Sequence, residues 1–290
     1  MSATAPAAVI GALFRKELRS FLGNPTGYVF LTLFIVASAS AAFLTDSFFS
    51  RNLADLATLN KWMPAILMFF VPAVTMGLWA DERRSGTDEL LLTLPVRDGE
   101  VVMGKFLGAL GVYTVGLLFS LVNVGVLAYL GDPDAGLMFA TYLGYWLMGA
   151  LFVAVGMVDS MFTGNTTVAF ILGSLGCAAL VFAGTAPWAS AIVGVVLLGA
   201  LGALLWNIVI GRGTALGALI GAAIGLVLWL GGAAIGLAES FIEVFAALGA
   251  PAHFDSFGEG VLRLGDVLFF VGGTAVALYL CTILISRRHW

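Results

Sequence analysis

Gly99-Glu-Val-Val-Met-Gly104-Lys105 has the spacing of a phosphate-cradling loop, two glycines followed by a lysine. In such a loop backbone N–H groups hold the phosphates, the lysine neutralises them, and a Ser or Thr in the eighth position holds magnesium. Here the eighth residue is Phe106. The loop must also follow a buried strand and open a soluble helix, whereas this one opens onto an apolar run. It is therefore not read as a nucleotide site. No other segment could carry nucleotide chemistry, so an ATPase driving this chain would have to be a separate polypeptide. No Asp, Glu, Lys, Arg or His is expected in the middle of a membrane span. A central charge costs about 2.5–3.5 kcal/mol or more and is kept mainly for ion or proton pathways. This argues against a proton- or sodium-coupled transporter and against an intramembrane protease. No residue is assigned a catalytic or metal-binding role. Asn123, Ser120, Ser174 and Asn207 are read as helix–helix hydrogen bonders, and Cys177 and Cys281 as small buried hydrophobes.

The elements around these residues belong to a membrane protein. Hydrophobic residues make up 61% of the 290 and charged residues 10%, against roughly 25% charged in soluble domains. The mean hydropathy is +1.05. There is no basic footprint for nucleic acid. A helical span needs about 20 apolar residues, and eight are expected: 28–44, 62–80, 106–130, 137–158, 166–183, 188–210, 214–237 and 267–285. The fold class is all-α and polytopic.

The longest polar interruption in the first half of the chain is 81–105. It carries ten of the thirty formal charges. Within it, Ser85 or Thr87 is a candidate N-cap, Asp88 and Glu89 suit a first helical turn, Leu90, Leu91, Leu92 and Leu94 give an apolar side, and Pro95 stops the helix. Such a helix is too short to span a bilayer and can serve as a handle for a soluble partner. Ahead of the first span, 10–22 reads as an amphipathic surface helix, with Ile10, Leu13, Phe14, Leu18 and Phe21 on one side and Arg15, Lys16 and Arg19 on the other. Gly23-Asn24-Pro25 ends it. Gly217, Gly221 and Gly225 put a small-residue stripe on one helix, read first as packing within the chain.

With the N-terminus inside, ten Lys and Arg fall on the inner side and three (Arg51, Lys61, Arg263) on the outer. This bias places both termini in the cytoplasm.

The runs Val71-Pro72-Ala73-Val74-Thr75-Met76 and Ala80-Asp81-Glu82-Arg83-Arg84-Ser85-Gly86-Thr87-Asp88-Glu89-Leu90-Leu91-Leu92-Thr93-Leu94-Pro95-Val96, then Gly104-Lys105, resemble the ABC-2-type permeases, most of all their gliding-motility-associated (GldF-like) branch. Phe14-Arg15-Lys16-Glu17-Leu18 and Asn24-Pro25 fit as well, as do His253-Phe254, Phe257 and the Arg287-Arg288-His289-Trp290 tail. The resemblance implies a non-enzymatic permease subunit of an ATP-binding-cassette transporter in the bacterial inner membrane. Such a subunit exports a substrate or transmits force. It would pair with a second permease copy and with cytosolic ABC ATPase subunits that hold the ATP and magnesium, and an auxiliary gliding-type subunit is a further expected partner. It also implies an N-terminal region, 1–27, with an elbow helix (Phe14, Arg15, Lys16, Glu17, Leu18), and a transmembrane domain, 28–290. The ATPase-coupling residues would be Arg83, Arg84, Gly86, Thr87, Asp88, Glu89, Leu90, Leu91, Leu94 and Pro95, within the loop 81–105. The family usually has six spans, so 188–237 is expected to be an inserted helical hairpin ahead of an outer loop, 238–266. The alternative reading is a membrane scaffold with no transport path of its own.

Overall fold

A computed structural model describes residues 6–44, 55–87, 96–210, 214–231 and 237–286. The described residues are helical and contain no strand. In chain order the helices are α1 (Pro6–Leu22), α2 (Pro25–Phe43), α3 (Ala57–Thr75), α4 (Gly77–Ser85), α5 (Asp98–Ser120), α6 (Val122–Leu130), α7 (Ala135–Ser160), α8 (Thr166–Phe182), α9 (Pro187–Ile210), α10 (Thr214–Leu226), α11 (Leu237–Ala246), α12 (Ala250–Gly258) and α13 (Leu264–Ser286). A π-helical turn, Val227–Gly231, extends α10.

Four stretches are long and apolar enough to cross a membrane: Ala57–Ser85 (α3–α4), Asp98–Leu130 (α5–α6), Ala135–Ser160 (α7) and Leu264–Ser286 (α13). Helices α1 and α2 meet at a bend of 76° and make a fifth only if taken as one broken span. The other three expected spans fall on shorter apolar helices, Thr166–Phe182, Pro187–Ala203 and Leu216–Leu230. The membrane-spanning class is thus supported by four to five segments, fewer than the eight expected from apolar runs alone.

The chain divides into two compact units. The first holds Met1–Cys177 and His253–Trp290, the second Ala178–Ala252. In the first, α7 is the central helix, packed against α3, α5 and α13. Small residues on α7 admit large neighbours. The Tyr113 ring lies directly over Gly149, and its hydroxyl donates to the Tyr145 carbonyl at 2.7 Å. A Cβ at Gly144 would meet the Phe257 Cβ at 2.6 Å. Tyr145 stacks on Phe254 with ring centroids 5.2 Å apart. Phe34 of α2 stacks on Phe70 of α3 at 4.3 Å.

Some buried polar side chains join helices, while others, such as Ser120 Oγ on the Leu117 carbonyl at 2.7 Å, bond back along their own helix. Asn123 Nδ2 donates to Ser38 Oγ at 3.4 Å, and Tyr142 donates to the Ser120 carbonyl at 2.8 Å. Ser174 Oγ is buried with no hydrogen-bond partner among the described residues. The Asn207 side chain lies outside what is described. Cys177 and Cys281 are free and buried.

In the second unit α9 and α10 form a close hairpin. Gly217, Gly221 and Gly225 lie against α9, at Gly202, Leu198 and Val195. The small-residue stripe is therefore used up within the chain. The segment expected as a loop, 238–266, holds most of α11, all of α12 and the start of α13. Phe241 and Phe245 of α11 lie over Gly194 of α9, where an added Cβ would meet each ring at 2.6 Å.

Helix α1 packs along the first turns of α5. Gly104, Gly108 and Gly111 lie four and three residues apart and so share one helix face. A Cβ at Gly104 would meet Leu13 Cβ at 2.7 Å, one at Gly108 would meet Glu17 Cβ at 2.5 Å, and one at Gly111 would meet the Phe14 ring at 2.9 Å. The first two obstacles sit next to the α1 backbone and cannot swing aside. Gly108→Leu is therefore expected to lift α1 from α5 at a cost of about 1–3 kcal/mol. A lower melting temperature together with faster proteolysis within 6–22 would show it, and Gly99→Leu, at a glycine with open space around it, is the control.

Candidate functional site

The charged stretch 81–105 is divided among helices. Asp81–Ser85 is the end of α4, and Asp98–Lys105 is the start of α5. Arg83 and Arg84 lie in the last turn of α4, where cations suit the helix dipole. Gly86 closes that helix in the left-handed conformation, with φ 68, which favours glycine. Ser85 belongs to this ending and is not the start of a new helix: its hydroxyl donates back to the Asp81 carbonyl at 2.8 Å. Helix α5 opens at Asp98 with Asp98 and Glu100 in its first turn, where carboxylates suit the N-terminal end. What lies between the two helices is 86–97. Of the expected coupling residues, Asp88, Glu89, Leu90, Leu91, Leu94 and Pro95 lie outside the described residues.

Both roots of this loop are tied to α1 by one ion cluster. Lys105 is fully buried. Its ammonium lies 2.8 Å from Glu82 Oε1 and 3.4 Å from Glu17 Oε1, and donates to the Leu78 carbonyl at 2.6 Å. It also sits 4.6 Å from the centroid of the Trp79 ring, a favourable place for a cation. Lys16 completes the cluster, 2.7 Å from Glu82 and 3.7 Å from Glu17. Two lysines and two glutamates balance. Burial works against the charge on Lys16, but the hydrogen bond and charge of Glu82 outweigh it and hold its pKa above the ordinary lysine value. Its stabilising share is complete below the usual lysine range and fades only as pH climbs past that raised pKa.

A buried charge is tolerated when paired and hydrogen-bonded. That condition explains why Lys105, Glu82 and Glu17 occur together on three different helices. Glu17 is the one acidic residue of α1. The glycine face of α5 brings the α1 backbone close enough for Glu17 to reach Lys105. The P-loop-like spacing is thus a packing pattern: 99–105 is helical, and its lysine is committed to protein partners.

A further tie joins α4 to the turn after α7. Arg83 Nη1 donates to the Met161 carbonyl at 2.8 Å. Arg84 pairs with Asp81 at 3.4 Å on the surface. Of the expected elbow residues, Lys16 and Glu17 enter the cluster, Phe14 and Leu18 pack on Gly111, and Arg15 is exposed. In the sequence Lys105 is one more charge in a polar stretch, and nothing adjacent marks it as the counter-ion of Glu17. The signal that could have found them is the pairing of Gly104, Gly108 and Gly111 with the lone acid of the preceding amphipathic helix.

One other constellation has the residue types of a catalytic triad. Asp266 at the start of α13 accepts from Ser256 at 2.6 Å and meets His253 Nδ1 at 2.8 Å. Both partners bond the carboxylate. A serine nucleophile needs its hydroxyl on the imidazole, and here Ser256 bonds Asp266. The imidazole stacks on Phe269 at 3.9 Å. The arrangement ties α12 to α13.

A family model described as ABC-2 family transporter protein matches residues 11–201. No curated protein matches the chain. The match runs from α1 into α9 and contains every member of the ion cluster. It covers about two-thirds of the 290 residues, and the chain belongs to the ABC-2 transporter family.

Proposed function

We propose that this chain is the permease subunit of an ABC transporter and takes its force from a separate ATPase at the loop 86–97. Permeases of this family normally pair with ABC ATPase subunits. The observation that carries the reading is the buried Lys105 ion cluster. A loop pushed by a soluble partner moves the bundle only if its roots are held to the helices. Here Glu82 on one root and Lys105 on the other share contacts with α1, and Arg83 adds the turn after α7. A displacement of the loop would carry α1, α4 and α5 together.

On this reading α1 is the elbow helix, 87–94 the coupling helix, and both termini are cytoplasmic. The chain crosses the bacterial inner membrane eight times, six in the family core and two in the hairpin 188–237. It works as a pair with a second permease copy, exports a substrate or transmits force to an envelope partner, and falls in the gliding-motility-associated branch with its auxiliary subunit. The ATP and magnesium sit on the ATPase.

Reversing Arg83, Arg84, Asp88 and Glu89 together is expected to cut co-purification of the ATPase by at least about tenfold, the loss of one or two charge-assisted contacts. ATPase recovery unchanged by those four reversals would contradict the coupling assignment.

A further inference from the structure

A cleft of about 290 Å³ lies where α1, α2, α3–α4 and α5 meet. It belongs to the first compact unit. Its walls are of two kinds. Phe21, Phe30, Val74 and Val112 line it with apolar side chains. Glu17, Asp81, Glu82 and Lys16 bring charge to the lining, with Ser20, Asn24 and Ser85 beside them. The carboxylates are matched by cations: Glu17 and Glu82 by Lys105 and Lys16, and Asp81 by Arg84.

The two oxygens of Asp81 have different surroundings. Oδ1 meets Arg84 at 3.4 Å. Oδ2 folds back over Gly77, 2.6 Å from where a Cβ on that glycine would sit. Gly77 and Asp81 both line the cleft. Asp81 and Lys16 are each about half exposed, at 53% and 55%, so both can meet a ligand. The cleft thus offers an anion for an ammonium, a cation for a phosphate, and apolar side chains in the same lining.

We propose that this cleft binds a phospholipid with a primary-amine head group, its ammonium at Asp81, its phosphodiester at Lys16 and an acyl chain along Phe21 and Phe30. An amphipathic helix lying on a membrane sits at head-group depth, so the corner beneath it spans the boundary between head groups and chains. An anionic glycerol head group carries no ammonium to meet the Asp81 carboxylate. A choline head group carries no N–H and cannot donate to Asp81, whereas a primary ammonium has three donors. This inference rests on reading α1 as the elbow helix at the membrane surface, and it needs no ATPase.

The test is native mass spectrometry of the full chain, delipidated in mild detergent and titrated separately with phosphatidylethanolamine, phosphatidylcholine, phosphatidylglycerol and free phosphoethanolamine. One phosphatidylethanolamine is expected to bind about tenfold or more tightly than the other two lipids, the margin of one charge-assisted hydrogen bond. Free phosphoethanolamine, lacking a chain for the apolar part of the lining, is expected not to compete at equal concentration. Asp81→Asn should erase the head-group preference. Ser20→Trp, on the exposed side of α1, should fill the cleft and abolish the adduct, while Tyr129→Ala, far along α6, should leave it intact. Equal affinity for the three lipids, competition by the free head group, or an adduct unchanged in Ser20→Trp would overturn the proposal.

Discussion

Replacing Lys105 with methionine is expected to destabilise the protein by about 3–5 kcal/mol, the cost of breaking a buried ion pair by removing one partner. The substitution keeps the side chain's bulk but leaves Glu82 and Glu17 with Lys16 alone. Glu82 is ill placed to absorb this, since its Oε2 is already buried without a hydrogen-bond partner among the described residues. The Leu78 carbonyl loses its donor as well. Adding Glu82→Gln should recover part of the loss, because the double variant no longer strands a buried charge. Thermal unfolding of the single and double variants measures this coupling. A second readout separates the clamp from simple stability: proteolysis within α1 should rise in Lys105→Met more than it does in a core variant of equal melting temperature. Equal α1 protection in the two would mean that Lys105 does not hold the elbow helix.

Gly149→Val should be the next most damaging single change. The Tyr113 ring lies over Gly149, so any side chain there displaces it. Tyr113 is fully buried and donates to the Tyr145 carbonyl. Tyr145 in turn reaches Asn60 of α3 and stacks on Phe254 of α12. The penalty combines overpacking, at about 1–3 kcal/mol, with loss of a buried hydrogen bond, at about 1 kcal/mol. Loss of the folded species on size exclusion, or a melting temperature lowered well beyond that of Gly99→Val, would confirm it. Tyr113→Phe in the same background removes the hydroxyl but keeps the ring, and should not rescue.

The helical membrane-spanning class was legible because apolar runs and polar breaks are one-dimensional signals. The amphipathic nature of α1 and its end at Gly23-Asn24-Pro25 were legible for the same reason. The extent of the charged loop was not. Charged residues at 81–85 and 98–105 look like loop in a hydropathy profile, yet they continue the helices of the neighbouring spans, because the dipole at each end accepts them. Ser85 illustrates the ambiguity. Its type suits an N-cap, and only geometry shows it bonding back along α4. The partnership of Lys105 with Glu17, 88 residues away, could not be read without knowing which face α1 turns to α5. The stripe Gly217, Gly221, Gly225 reads in the sequence as packing within the chain, and α10 uses it so against α9. The equivalent face Gly104, Gly108, Gly111 was hidden by its likeness to a phosphate loop. Pairing information of this kind exists in three dimensions and leaves only a weak trace in spacing.

Site-specific photo-crosslinking with intact complexes tests the central claim most directly. A photoreactive residue at Thr87, beside Gly86 at the root of the loop, is compared with one at Tyr129, at the opposite end of α5–α6 and 90% exposed. The account predicts a crosslink from Thr87 to a soluble ATPase subunit and none from Tyr129. Equal capture at both positions, or capture from Tyr129 alone, would contradict it.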